Sequence, residues 1–218
     1  MDRRLALAVE DNNVDEVESL LKAGASPDAY GIQGWPVPVT ACDRGFNSIA
    51  QFLFQEGAKV NKTAPDGYAA LMWAAFRGYD SLVVMLLSAN ADGNLKDKFG
   101  WTALHFAAAN NHSKVVRILL ENGCDINIKN NRGDTALQVA ERHKKKDAAD
   151  AIKSFIVNYH VEDNQRQTSP HNFDTARYHR ILLASHSCGK FLYAPSFVVG
   201  RISGLLHHLL ELNVQQMQ

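Results

Sequence analysis

The stretch "GWTALHFAAANNHSKVVRILLENGCDIN", residues 100–127, contains the pattern from which the fold can be predicted. Leu104 and Ala107 lie on one small apolar face of a short helix, and the Thr102 hydroxyl is suited to cap that helix's free amide groups. A second helix follows, with apolar residues three and four positions apart. Gly123 suits the left-handed conformation after its end. The stretch therefore predicts a helix, a turn, a second helix and a loop.

This pattern recurs along the chain at a constant step of 33 residues. Four glycines lie at that step: Gly34, Gly67, Gly100 and Gly133. So do four apolar pairs: Leu20-Leu21, Leu53-Phe54, Leu86-Leu87 and Leu119-Leu120. Four loop residues share the register: Asp28, Asn61, Asn94 and Asn127. A fixed period of this length is typical of stacked repeats, in which each unit buries its apolar face only against its neighbours.

The segment Thr102-Ala103-Leu104-His105 resembles the ankyrin repeat motif Gly-x-Thr-Pro-Leu-His-x-Ala-Ala, with Ala103 in the place of proline. The resemblance covers residues 1–160 and implies an all-α solenoid of about five helix-turn-helix units. The units are 1–28, 29–61, 62–94, 95–127 and 128–160. We expect a linker and an amphipathic helical tail over residues 161–218.

Two units depart from the pattern. The second carries Pro36 and Pro38 near its first helix start, where proline costs no internal hydrogen bond, so we expect a distorted but surviving helix start. The fifth has the polar run 141–147 and Ile152-Lys153 in place of the apolar pair, which is typical of a solvent-facing cap.

Composition and charge narrow the function classes. The chain has 23 basic and 23 acidic side chains, so no net field favours nucleic acid, and we expect no nucleic-acid partner. Its three cysteines are far apart and form no Cys-x-x-Cys pair, which argues against a zinc site. We expect no signal peptide, because acidic residues from Glu10 to Glu16 interrupt the apolar core that one needs, and no apolar run is long enough for a transmembrane segment. We expect a cytoplasmic protein, with a nuclear one left open.

Catalysis is not expected. The residues at the His105 position in the other units are Ala6, Val39, Met72 and Gln138, so no titratable group recurs there. No nucleophile with a base, no phosphate-binding loop and no metal-ligand cluster is present in the sequence, so neither a cofactor nor a metal is predicted. The resemblance implies that His105 belongs to the hydrogen-bond network of its turn.

The resemblance also implies that protein partners bind at the loop tips and on the concave face of the inner helices. The positions that match predict seven partner-binding residues: Trp35, Arg44, Tyr68, Phe76, Arg77, Phe99 and Trp101. Three aromatic residues in register favour binding, because aromatic and arginine side chains dominate interface energies. The alternative is that each aromatic packs over a neighbouring loop and serves only the stack.

Asn127 follows Leu119, Asp125 and Ile126 at the spacing of a target of the oxygen-sensing asparaginyl hydroxylase that modifies ankyrin proteins. The resemblance therefore predicts hydroxylation of Asn127. The alternative is that this asparagine only shapes its loop.

The tail contains an apolar stripe at helical spacing between residues 196 and 214. Its predicted contact residues are Val198, Ile202, Leu205, Leu206 and Leu209. Such a stripe is covered either by the last repeat or by a partner's groove, and the polar segment before it favours the partner. The basic run 142–146 is either a patch for nuclear import or for an acidic partner, or a solvated cap.

These patterns predict a non-enzymatic interaction scaffold or adaptor that binds a partner protein on its concave face. The alternative is a substrate-recognition subunit of a ubiquitin ligase, recruited through the tail. That alternative rests on architecture alone.

Overall fold

The computed structural model describes residues 1–31 and 34–168, and within them the chain forms ten α-helices and no strand. The helices are α1 (Asp2–Glu10), α2 (Val14–Lys22), α3 (Val37–Arg44), α4 (Asn47–Gln55), α5 (Ala70–Arg77), α6 (Asp80–Ser88), α7 (Ala103–Ala109), α8 (Ser113–Glu121), α9 (Ala136–Arg142) and α10 (Lys146–Thr168). They form five successive helix pairs, so the predicted all-α repeat fold is confirmed. Among the described residues, no helix combines the length and the apolar character needed to cross a membrane.

The prolines of the second unit do not shift its first helix. α3 begins at Val37, one 33-residue step before the start of α5 at Ala70. Pro36 is the N-cap residue and Pro38 lies buried in the first turn, where helix amides have no internal partner to lose. The helix start therefore survives, as expected, and its register is unchanged.

The helices form two rows. The odd-numbered helices α1 to α9 pack side by side in an inner row, and α2, α4, α6 and α8 pack in an outer row. The apolar pairs of the outer helices face the inner row, so that Leu53, Leu86 and Leu119 are fully buried. Burying each of these side chains contributes about 1.5–3 kcal/mol, which a single unit could not obtain alone.

Small, buried alanines recur in register along the inner helices. One alanine of each inner helix occupies the same register position and is buried: Ala8, Ala41, Ala74, Ala107 and Ala140. A methyl group at this position lets neighbouring inner helices approach closely. We call these five residues the alanine column.

Each inner helix after α1 is preceded by a tight hairpin turn, such as residues 64–68 and 97–101, and these hairpins also stack on each other. The amide of Lys98 donates to the Asp66 carbonyl at 3.1 Å, and that of Asn131 donates to the Phe99 carbonyl at 2.9 Å. Gly100 lies at this contact with a φ of +76°, and a Cβ added to it would lie 2.8 Å from the Asn131 nitrogen. Gly100, one of the glycines that recur every 33 residues, is therefore required both for its backbone conformation and for the close approach of the next hairpin.

Loop side chains link successive units on the same principle. A carboxylate oxygen of Asp28 accepts from the Lys59 amide at 3.0 Å. The carboxamide oxygen of Asn61 accepts from the Asp92 amide at 2.8 Å, and that of Asn94 accepts from the Asp125 amide at 2.8 Å. We call these bonds the loop ladder. They explain why Asp or Asn recurs at this register position.

The end of the repeat region differs from the sequence prediction. α10 continues to Thr168, so residues 161–168, which we assigned to the linker, lie in a helix. The segment from Lys146 to Thr168 has no glycine or proline, and polar residues alone do not end a helix. The predicted tail contacts lie outside the described residues: Val198, Ile202, Leu205, Leu206 and Leu209.

The alanine column gives a direct test of how tightly the inner helices pack. We expect Ala74→Leu to lower the free energy of unfolding by about 1–3 kcal/mol or more, because the larger side chain forces α3, α5 and α7 apart. Ala23→Leu, at an exposed position, is the matched control and should change it by less than about 0.5 kcal/mol. Urea unfolding followed by circular dichroism measures both. Equal effects at the two positions would contradict close packing at the column.

Candidate partner-binding surface

Six aromatic side chains form a continuous row across the hairpins and inner helices of the second, third and fourth units. We call this the aromatic row, and its members are Trp35, Tyr68, Trp73, Phe76, Trp101 and Phe106. Three come from hairpins and three from the inner helices α5 and α7.

The hairpin aromatics pack on the helix aromatics, both within a unit and between units. The ring centroids of Trp35 and Trp73 are 5.2 Å apart, which joins the second unit to the third. Tyr68 lies 5.3 Å from Trp73 in its own unit and 5.9 Å from Phe106 in the next. Trp101 lies 5.1 Å from Phe106. These tilted arrangements are favourable for aromatic pairs.

Phe76 completes the row on the helix side. Its ring meets Trp73 edge-on at 5.5 Å and Phe106 at 6.2 Å. Four predicted binding residues are thus brought together in the row: Trp35, Tyr68, Phe76 and Trp101. Trp73 and Phe106 were not predicted. They share one register position 33 residues apart, so comparing the units at every position of the first helix would have found them.

All six side chains of the row are partly buried, so each packs on its neighbours and also has surface in contact with solvent. The Trp73 indole nitrogen is buried and has no hydrogen-bond partner among the described residues. Burial of the Tyr68 side chain raises the pKa of its hydroxyl, so Tyr68 stays neutral at physiological pH. The row is an uncharged, partly exposed aromatic surface that also contributes to the packing of the stack.

Arg77 lies against the row. Its guanidinium donates to Asp43 on α3 at 2.9 Å and lies 5.8 Å from the Trp73 ring centroid and 5.5 Å from that of Phe76. The ion pair with Asp43 holds the guanidinium at the edge of the aromatic row, where cation–π attraction also acts. Arg77 is therefore positioned as a charged border of the row.

The other two predicted binding residues lie outside the row. Phe99 is 52% exposed at a hairpin tip. The Lys98 ammonium lies 5.2 Å from the Phe99 ring centroid, and its hydrogen bond to Asp66 raises the pKa of Lys98. Arg44 is exposed and makes no ion pair within the described part of the chain.

The position of Trp101 directly after a glycine is explained by Asp97. One carboxylate oxygen of Asp97 accepts from the amide of Phe99 at 2.9 Å and from that of Trp101 at 2.7 Å. Asp97 is only 6% exposed, so the hairpin is held from inside by a buried acid. This hairpin directs the indole onto Phe106.

His105 is a structural residue of the turn. Its ring is buried, and Nδ1 accepts from the Thr102 amide at 3.2 Å. Nε2 then carries the proton and donates to the Asp134 carbonyl at 3.1 Å. Burial lowers the pKa of His105, so the ring is neutral at physiological pH. Both nitrogens are used within the fold, as the sequence analysis expected.

The cysteines of the described region offer no reactive site. Cys42 and Cys124 are buried free thiols, and burial raises the pKa of each to about 12. Neither is therefore a thiolate at neutral pH. In residues 1–31 and 34–168, no group of histidine, cysteine, aspartate and glutamate side chains is arranged to hold a metal ion.

Asn127 lies at the register position of Asp28, Asn61 and Asn94, one unit after the last bond of the loop ladder. Its own amide donates to the Asp125 carboxylate at 2.9 Å, which holds the loop. Its carboxamide is exposed and makes no hydrogen bond within the described residues, whereas that of Asn94 accepts an amide of the following unit. The side chain of Asn127 is therefore the more accessible of the two.

Two comparisons bear on identity. A family model described as ankyrin repeats (3 copies) matches residues 5–97 and 71–167, which together make up about three quarters of the chain. No curated protein sequence matches the chain.

The burial of His105 predicts a specific pH dependence of stability. In the unfolded chain the ring binds a proton near pH 6.5, while in the folded protein it does so only at lower pH. Just below about pH 6.5 the unfolded state therefore binds more protons than the folded state. The stability that neutral His105 contributes is complete above about pH 6.5 and is lost as the pH falls.

We therefore expect His105→Gln to cost stability at pH 7.5 and to cost less at pH 5. Glutamine is the matched replacement because the Gln138 carboxamide accepts from the Thr135 amide at 2.9 Å in the fifth unit. Urea unfolding of both proteins at the two pH values measures the difference. A difference that stays constant with pH would contradict this assignment.

Proposed function

The chain belongs to the ankyrin repeat family, whose repeats mediate protein–protein interactions, and on that premise we propose that it is a non-enzymatic scaffold or adaptor that binds a partner protein on the aromatic row. Proteins of this family are typically not enzymes. We extend that property to this chain as part of the proposal.

The observation that carries the proposal is the row itself. Six neighbouring aromatic side chains remain partly exposed along three units. Tryptophan and tyrosine contribute most to binding when they sit at the centre of an interface, because they bury large areas with few rotatable bonds. Packing within a hairpin needs no such continuous row, and a contiguous apolar patch on a soluble protein marks an interaction site.

The contacts suggest a division of roles. Trp35, Tyr68 and Trp101 present their open faces to the partner, while Trp73 and Phe106 support them from the inner helices. Polar residues around the row form a rim that excludes water and orients the partner. These residues are Arg44, Arg77 and Lys98. Phe99 adds an exposed apolar contact at the hairpin tip.

Location and the tail complete the proposal. We propose that the protein is cytoplasmic. The alternative is that residues 142–146 direct it to the nucleus. The tail residues lie outside the described part of the chain, and their contact with a partner groove stays a sequence prediction.

The ubiquitin-ligase alternative also depends on the tail. It would be supported if cullin or elongin subunits co-purify with the full chain and not with a chain ending at Thr168.

The aromatic row is tested by separating binding from stability. We expect Trp101→Ala to reduce partner capture at least tenfold, since a central aromatic contributes about 2 kcal/mol or more to such an interface. Val84→Ala removes an exposed apolar side chain from α6 in the outer row and should leave capture unchanged. Quantitative affinity capture with each full-length variant, beside thermal unfolding by circular dichroism, measures both quantities. Lower stability with normal capture for Trp101→Ala would show that the row serves only the stack.

We also propose that Asn127 is hydroxylated, because its carboxamide is exposed at the end of the loop ladder. After co-expression with the asparaginyl hydroxylase, mass spectrometry should find one added oxygen on the peptide containing Asn127. Asn94 is the internal control, since its carboxamide accepts the Asp125 amide at 2.8 Å and should remain less modified. An unmodified Asn127 peptide would leave the loop-shaping role as the only one.

A further inference from the structure

The charge of the repeats changes sign from one end of the stack to the other. Residues 1–28 carry seven acidic and three basic side chains, whereas residues 128–160 carry seven basic and four acidic ones. Each of the three units between them is within one charge of neutral. The zero net charge of the chain therefore conceals two ends of opposite sign, which act locally on a bound partner.

At the first end, two acids continue the line of the aromatic row. Glu10 and Asp11 end α1 at the register positions that Phe76 and Arg77 occupy on α5. The Glu10 carboxylate lies beside Gly31, whose amide donates to the Trp35 carbonyl at 2.7 Å. Neither acid makes an ion pair within residues 1–31 and 34–168. We call Glu10 and Asp11 the acidic pole.

At the other end, the same line reaches basic residues. Arg142 ends α9 at the register position of Glu10, and its side chain is 51% exposed although it binds the Asp134 carboxylate. Arg132 at the hairpin tip and Lys144 after α9 are exposed and make no ion pair with any described residue. We call Arg132, Arg142 and Lys144 the basic pole.

The two poles are separated by a distance that a peptide can span. Five inner helices packed about 8–10 Å apart extend over roughly 30–40 Å. An extended segment of about 12 residues covers this length at about 3.3 Å per residue. One linear segment can therefore contact both poles and the aromatic row between them.

We infer that the surface takes a linear peptide segment of a partner protein with basic residues at the end that lies on α1, acidic residues at the end that lies on α9, and apolar or aromatic side chains between them. This inference rests on the proposed binding function of the aromatic row and adds the partner's chemistry and its direction. The row supplies affinity. The poles select the orientation, because like charges placed together oppose the reversed one.

A peptide-display selection against the full chain tests the inference. Random linear peptides of about 15 residues exceed the estimated span, so both poles can be contacted at once. The matched bait is a pole-neutralised variant, Glu10→Gln, Asp11→Asn, Arg132→Gln and Lys144→Gln, which leaves Arg142 with its partner Asp134. The Trp101→Ala chain serves as the background bait. We expect peptides with separated basic and acidic ends from the native chain, and apolar peptides without that separation from the pole-neutralised one.

Intrinsic fluorescence reports binding of the selected peptides. The three tryptophans of the chain are Trp35, Trp73 and Trp101, and all three belong to the aromatic row. A tryptophan-free selected peptide should bind the native chain about fivefold more tightly than the pole-neutralised chain at low salt, since exposed ion pairs are individually weak. The difference should vanish near 1 M salt, where the screening length is about 3 Å. A photo-crosslinker at the basic end of the peptide should attach within residues 1–35.

Several outcomes would overturn the inference. Selected peptides that require Trp101 but show no charge separation would refute the role of the poles and leave the proposed function standing. Crosslinks from the basic end of the peptide to α9 would have the same meaning. Failure to select any peptide also refutes it, while partner capture by the full chain tests the proposed function independently. Self-association in sedimentation that the pole-neutralised variant lacks would assign the poles to a second copy of this chain instead.

Discussion

The close approach of neighbouring inner helices is the constraint on which the rest of the structure depends. The alanine column places a small, buried side chain at one register position of every inner helix, from Ala8 to Ala140. This spacing brings the Lys98 amide within hydrogen-bond distance of the hairpin before it, and it brings Tyr68 onto the aromatic ring of the next unit. Larger side chains in the column would separate both contacts together, since packed interiors transmit such strain.

The sequence predicted the fold well because the information needed is local and repeated. Capping at Thr102, the glycine of each hairpin and the apolar pairs of each outer helix occur several times in one register, so each unit supports the assignment of the others. The end of the last helix was predicted less well, because no repeated pattern covers it. Residues 161–168 belong to no repeat, and their polar composition suits an exposed helix as well as a linker.

The aromatic row was predicted only in part. Register alone identified Trp35, Tyr68 and Trp101, because they occupy a hairpin position that the resemblance assigns to binding. Trp73 and Phe106 were missed since, within one unit, they look like ordinary apolar residues of the first helix. Their role arises from side-chain directions across the boundary between units, as the 5.2 Å contact of Trp35 with Trp73 shows. The charge poles likewise appear only when the ends of the stack are compared.

The loop ladder has a direction, and this has a consequence for how such a molecule can grow. Each rung is formed by an acceptor side chain on one unit and an amide on the next, as for Asn61 and Asp92 or Asn94 and Asp125. A unit duplicated in tandem brings with it both the amide that its predecessor needs and the acceptor that its successor needs. Lengthening by whole 33-residue steps therefore supplies a complete rung with every added unit.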